Sequence, residues 1–155
     1  PDHPLVPLSP PSNVFNDPPL TVPSFLPPLL PSCSFFLGIP YAPARKLIEA
    51  GLPVALATDF NPGTTPTGNM NLVVALGCIR LRMLPEEAIN AATLNAAAAM
   101  GLENELGSLT VGKRASFIIT KPVPSLAYLP YAFGTDHIDT VIIDGRPVRT
   151  GDATA

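Results

Sequence analysis

The chain has 155 residues, is 46% hydrophobic and 14% charged, and carries a net charge of −3, so it can bury a core of ordinary domain size. Lys and Arg total nine. They are scattered apart from Lys113-Arg114 and Arg80/Arg82, which excludes the basic stripe of a nucleic-acid binder. The two cysteines, Cys33 and Cys78, lack the spacing of a disulfide framework or a thiolate metal site and read as reduced thiols of a cytoplasmic protein.

Residues 1–31 hold 11 of the 21 prolines, a composition that removes backbone donors and disfavours helix and central strand. Residues 1–29 are therefore expected to be an extended or unstructured arm with polyproline II character. The arm is either a linker or recognition segment, or a replacement for structured sequence. The chain starts with Pro1, which reads as other than a native translation start and leaves N-terminal targeting unjudged. The apolar stretch from Phe25 to Tyr41 is broken by Pro27, Pro28, Pro31 and Pro40, which rules it out as a membrane helix.

Leu29 to Leu37 predicts a short buried strand ending at Gly38. A helix is predicted over Ala44 to Ala50, opened by Pro43 and closed by Gly51. Next comes a nearly unbroken apolar run, Leu52 to Ala57, which predicts a strand over about 53–58 buried on both faces and parallel to the first. It turns polar at Thr58-Asp59, and a turn-forming Asn61-Pro62-Gly63 follows at once.

Apolar residues at Met70, Val73, Val74, Gly77, Cys78 and Leu81 have helical spacing and predict a helix within 69–83. A second helix is predicted from Pro85 to about Ala99, with acids in its first turn, a weak N-cap in Leu84 and Gly101 to close it. After Gly107 the hydrophobic period falls to two. Ser108 to Val111, Ala115 to Thr120 and Thr140 to Ile143 predict strands of a small antiparallel layer, with a hairpin turn at Asp144-Gly145. Lys121 to Asp139 reads as a long connection. A closed barrel needs about 200 residues or more, so the pattern reads as the end of a parallel α/β barrel with an attached β layer.

Asp59 is the sharpest candidate for chemistry. A carboxylate at the C-terminal end of a buried parallel strand sits where such folds place ligands, and it can bind a metal or act as a general base. On spacing alone, the reading as the Asx residue that starts the following turn is the favoured one. Gly63 offers a backbone N–H, and Asn61 and Thr64 offer side-chain hydrogen bonds, to an anionic ligand or to the turn itself. The only histidines are His3 and His137, with no H-x-H or H-E-x-x-H pattern, so a histidine metal site cannot be assembled within this chain. His137 reads as a surface or loop hydrogen-bonding residue. Glu86 and Glu87 read as helix-start acids, and Arg45 as a surface or packing residue rather than one that binds a substrate carboxylate.

Three stretches carry a resemblance: LPVALATDFNPGTTP from Leu52 to Pro66, PEEAINAATLNAAAAMGL from Pro85 to Leu102, and GSLTVGKRASFIIT from Gly107 to Thr120. Together they resemble the C-terminal third of the imidazolonepropionase family within the amidohydrolase superfamily, over about Leu30 to Val148. The A-T-D-x-N-P-G pattern is specific, whereas G-x-L-x-x-G-K is shared more widely in the superfamily. The resemblance implies an α/β fold: residues 30–104 as the end of a (β/α)₈ barrel, 105–150 as strands of the small β-sandwich, and 151–155 as a tail. It implies metal-dependent hydrolysis of the cyclic amide 4-imidazolone-5-propanoate to N-formimidoyl-L-glutamate in histidine degradation, with zinc or iron as cofactor and a homodimeric intact enzyme.

By the same resemblance, Asp59 is a metal ligand and proton shuttle, Asn61 and Gly63 contact the product, and Thr64 contacts the substrate. The family's histidine ligands lie upstream of this chain, which implies that the isolated chain is inactive and binds metal weakly. Two other readings stay open: a related amidohydrolase such as a deaminase, and a non-catalytic remnant or binding module with a Pro-rich arm.

Overall fold

A computed structural model describes residues 26–149. The expectations for the arm over 1–25 and for the tail beyond 149 lie outside the described residues. The fold is mixed α/β. Strand β1 (Pro28–Leu29) leads through helices α1 (Pro31–Leu37) and α2 (Ala44–Glu49) to strand β2 (Ala55–Leu56). Helices α3 (Met70–Ile79), α4 (Pro85–Ala92) and α5 (Leu94–Ala99) follow. Strand β3 (Phe117–Thr120), helix α6 (Tyr128–Tyr131) and strands β4 (Ile138–Ile143) and β5 (Arg146–Arg149) complete it.

β1 and β2 pair in parallel, Pro28 with Ala55 and Leu29 with Leu56, as the strand–helix–strand order predicts. The first strand lies earlier than expected. Leu29–Leu37 is not one strand: its larger part is α1, with Pro31 in the first turn and Gly38 closing the helix at φ 65°. Proline favours the first helical turn and cannot donate to a ladder, so residue 31 ends the strand and starts the helix in one step. Phe35 and Phe36 are exposed on that helix, and this defeats the reading of the run as a buried strand. Residues 28–29, expected to be unstructured, form β1.

α2 matches its prediction to within a residue. Leu52 N–H bonds the Leu47 carbonyl at 3.0 Å and Gly51 N–H the Ile48 carbonyl at 2.9 Å. With Gly51 at φ 76°, this is a left-handed helix stop that satisfies two orphan carbonyls. α3 is capped by Asn69, whose side chain accepts from the N–H groups of Asn71 and Leu72. The helix predicted over 85–99 is two helices, α4 and α5, broken at Thr93 (φ −124°, ψ −82°). Thr93 Oγ1 bonds back to the Ile89 carbonyl at 2.7 Å, a local competitor to helix continuation. At the weak Leu84 start, the Glu87 carboxylate accepts the Leu84 N–H at 2.8 Å and supplies half of a capping box.

The core lies between the parallel strands and the helices. Leu29, Val54 and Leu56 pack with Val73 and Val74 of α3, Leu81, Met83, and Ala88 and Ala91 of α4. Gly77 lets α3 approach closely, since a Cβ there would stand 3.1 Å from Leu56 Cδ1 and 3.5 Å from Ala88 Cβ.

β3, β4 and β5 form a separate antiparallel sheet in that order. Its hairpin turn is the expected Asp144-Gly145, both at positive φ (51° and 76°), the geometry that a two-residue hairpin requires. Arg114 locks the turn with two 2.7 Å bonds to the Asp144 carboxylate. Phe117 pairs with Ile142 and Ile118 with Val141, which puts apolar side chains on both faces of the sheet. Ser108–Val111 is not a strand. Gly107 (φ 88°) lies against α5, where a Cβ would meet Ala97 Cβ at 2.7 Å, and Leu109 and Val111 point to solvent. Lys113 reaches back to the Leu106 carbonyl at 3.1 Å, so the glycine–lysine motif builds a loop. The 121–139 connection contains α6, tied to α3 by the Asn71 amide on the Phe133 carbonyl at 3.2 Å.

Candidate active site

The candidate residues converge where β2 ends. Val54, Ala55 and Leu56 are buried, and past the C-terminal end of the strand the chain turns polar and returns toward the surface. Asp59 stands at φ 54°, in the left-handed region that few residues other than glycine adopt and that Asp tolerates. Its Oδ2 accepts the Thr64 hydroxyl at 2.7 Å. That hydroxyl in turn accepts Asn61 Nδ2 at 2.6 Å, which fixes the direction of its proton toward Asp59.

Asn61 is the hub of the loop. Its Nδ2 also donates to the Asp59 carbonyl at 2.7 Å, and its Oδ1 accepts the N–H groups of Gly63 and Thr64, both at 2.9 Å. A backbone bridge from Asn61 to Thr65 closes the turn. All four predicted residues therefore belong to one hydrogen-bonded unit, and the Asx-turn reading and the site reading describe the same atoms. The Gly63 N–H and both ends of the Asn61 amide are engaged inside the loop, so contact with a ligand requires them to exchange or share those bonds. Asp59 Oδ1 accepts no hydrogen bond among the described residues and is the carboxylate's open position.

Three supporting residues went unrecognised in the sequence. Ser32, buried in the first turn of α1, donates its hydroxyl to the Thr58 carbonyl at 2.8 Å. Asn95 of α5 donates to the Val54 carbonyl at 2.8 Å and so ties the other end of the strand. Thr65 is buried, and its hydroxyl has no partner among the described residues. No sequence signal marks Ser32 and Asn95, because each acts across a distance in the chain that no local pattern spans.

The other titratable candidates sit in structural pairings. Arg45 makes a bidentate bond to Glu87, 2.9 Å on each arm. That hydrogen-bonded pairing holds the Glu87 carboxyl below its ordinary range. His137 is buried rather than on the surface. Its Nε2 lies 2.9 Å from the Ala132 carbonyl and its ring is edge-on to Tyr128, because the 121–139 connection folds back over it. Burial, and then the Glu86 and Glu87 charges, push the Cys78 thiol up, away from nucleophilic use.

No group of three or more His, Cys, Asp or Glu side chains that could hold a metal ion exists among the described residues. The open Asp59 oxygen is a hard anionic donor of the kind zinc and iron accept, and it fits one ligand position. The described residues do not form a complete metal site.

The amidohydrolase family model matches residues 25–148, starting earlier than the resemblance at Leu30 had suggested. The chain belongs to the amidohydrolase family. It is 64% identical over 121 residues to the imidazolonepropionase of Christiangramia forsetii, covering 78% of this chain and 29% of that protein. It is 52% identical over 124 residues to the imidazolonepropionase of Alkaliphilus oremlandii, again covering 29% of the relative. The chain thus spans less than a third of the length of the curated relatives it matches. Among solved structures, guanine deaminase of E. coli superposes at a TM-score of 0.65 with 25% identity, covering 78% of this chain and 33% of that one. An adenosine deaminase from Xanthomonas campestris, solved with bound zinc, superposes at 0.72 with 24% identity, covering 80% and 32%, a likeness of fold alone. Among the described residues, no helix is long and apolar enough to cross a membrane.

Proposed function

We propose that this chain supplies the C-terminal part of an imidazolonepropionase, a hydrolase that opens 4-imidazolone-5-propanoate at its lactam C–N bond to give N-formimidoyl-L-glutamate in histidine degradation. In this reading residues 30–104 complete a (β/α)₈ barrel and 105–150 contribute strands to a β-sandwich. The intact enzyme is a cytoplasmic homodimer, and the remaining metal ligands come from sequence outside this chain. The observation that carries the reading is the exit of β2. A carboxylate held open on one oxygen stands at the end of a buried parallel strand, in a chain 64% identical to a protein of that name.

Asp59 is the metal ligand this chain provides. A zinc or iron ion, when bound, brings the pKa of its water near neutrality. Asp59 accepts the proton released as water adds to the lactam carbonyl and returns it to the leaving ring nitrogen. The Thr64 hydroxyl, on Asp59 Oδ2, holds the carboxylate in one orientation and borders the imidazolone ring. Asn61 and Gly63 present amide donors to the anionic product without adding charge.

The test is a chimera in which residues 26–149 replace the matching segment of the Christiangramia forsetii protein. It should hydrolyse imidazolonepropionate, and Asp59→Asn should lower turnover by roughly 100-fold or more. A folded, metal-loaded chimera without turnover, or an Asp59→Asn variant with unchanged turnover, overturns the proposal.

A further inference from the structure

We propose that Ser32 is a positioning residue for Asp59, acting from α1 through the Thr58 carbonyl; the inference rests on the reading of Asp59 as the site carboxylate. A non-glycine residue at positive φ is disfavoured and persists where its surroundings hold it. Two peptide planes meet at the Asp59 Cα, and a side chain holds each. The Thr58 carbonyl, in the plane that sets φ, accepts the Ser32 hydroxyl at 2.8 Å. The Asp59 carbonyl, in the plane that sets ψ, accepts Asn61 Nδ2 at 2.7 Å. Asn61 is local to the turn. Ser32 is 26 residues away and 2% exposed, so it fixes the loop to the body of the fold.

The strand chemistry explains why a side chain is needed there. The parallel ladder runs from Ala55 N–H on the Pro27 carbonyl to Ala57 N–H on the Leu29 carbonyl, at 3.2 and 3.1 Å. The next donor on the β1 side would be residue 31, a proline with no N–H. The ladder stops there, one step short of the carboxylate, and the Ser32 hydroxyl extends the grip on β2 by another residue. Without it the peptide before Asp59 has no bond to the fold among the described residues, and the carboxylate is free to swing with the loop.

The experiment uses the chimera and three variants: Ser32→Ala, Ser32→Thr, which keeps the hydroxyl, and Asn95→Ala. Asn95→Ala removes a comparable bond to the same strand, at Val54, away from the turn. The readouts are deuterium exchange over residues 57–66 in metal-free protein, metal retention against a chelator, and kcat separately from KM. Ser32→Ala should speed exchange in that segment, weaken metal retention by roughly 10- to 100-fold and lower kcat more than it changes KM. Ser32→Thr should restore all three. Asn95→Ala should lower the thermal midpoint and leave retention and loop exchange as in the parent.

Unchanged loop exchange in Ser32→Ala, or wild-type metal retention despite a lowered midpoint, overturns the proposal, because the serine is then only structural. If Ser32→Ala does not fold, Ser32→Cys is read in its place, and parent-like exchange and retention in it overturn the proposal equally. A parent chimera that folds and lacks turnover sinks the functional reading, while loop exchange still decides the role of Ser32.

Discussion

Replacing Asn61 by alanine separates two roles that the loop geometry combines. The side chain makes four hydrogen bonds between 2.6 and 2.9 Å: two donated, to the Asp59 carbonyl and the Thr64 hydroxyl, and two accepted, from the Gly63 and Thr64 N–H groups. At about 1 kcal/mol net per bond the ceiling is ~4 kcal/mol. The loop is only partly buried, so water replaces some partners, and about 2 kcal/mol is the expected loss. Asn61→Asp keeps the two accepting bonds and loses both donated ones. It also puts a second negative charge near the Asp59 carboxylate, so it should recover less than half of that loss. The assay is denaturant unfolding of the chimera, read beside KM for imidazolonepropionate. If Asn61 were a ligand contact alone, Asn61→Ala would raise KM and leave the unfolding midpoint unchanged. That outcome would refute the view that it builds the loop before it touches any ligand.

Thr64→Val removes both the donor to Asp59 Oδ2 and the acceptor of Asn61 Nδ2, so it should lower kcat and destabilise the fold by about 1–2 kcal/mol. An unchanged unfolding midpoint would contradict this. Gly107→Ala should cost about 2–3 kcal/mol, because it adds a Cβ at 2.7 Å from Ala97 Cβ to a positive-φ strain. Gly112→Ala, with the same strain and open space around it, should cost only about 1 kcal/mol in the same titration. Glu87 has a folded pKa below its unfolded value. Its contribution to stability is therefore complete above the unfolded carboxylate pKa and is lost as pH falls through the lower folded one. Arg45→Met should flatten that part of the acid limb in thermal midpoints recorded from neutral pH downward, and an unchanged acid limb would argue against the pairing.

Legibility in the sequence followed the range of the interaction. Gly51, Gly101 and Asp144-Gly145 were readable because a left-handed residue leaves a local chemical signature, and all four take positive φ. The parallel strand expected over about 53–58 was readable because burial on both faces erases the alternation of a half-exposed strand, although the paired part is only Ala55–Leu56. The errors came where one apolar run supports two structures. Leu29–Leu37 has the length and composition of a strand, but Pro31 divides it, and two of its phenylalanines face solvent. Gly107 to Lys113 has the alternation of a strand, yet Gly107 is pressed against Ala97 and the motif serves a close approach to α5 instead of a ladder. Thr93 broke a helix whose composition gave no warning, since its bond to the Ile89 carbonyl is a conformational choice.

The site divides along the same line, and this bears on how a carboxylate at the end of a strand becomes usable. Asp59, Asn61, Gly63 and Thr64 lie within six consecutive residues, and their mutual bonds are all local: Asn61 Oδ1 makes the Asx-type pair to the Gly63 and Thr64 N–H groups, and the Asn61 amide and Thr64 hydroxyl bond back to Asp59. Such a turn sets the shape of the loop but not where the loop points relative to the rest of the molecule. That second condition is met by groups the turn does not contain: the buried ladder up to Ala57, then the Ser32 hydroxyl once proline has ended the ladder. A site carboxylate must satisfy both conditions, because a ligand position is defined by direction as well as by distance. The local condition could be read from six letters of sequence, Asp59 to Thr64. The directional one depends on a residue 26 positions upstream, brought there only by folding.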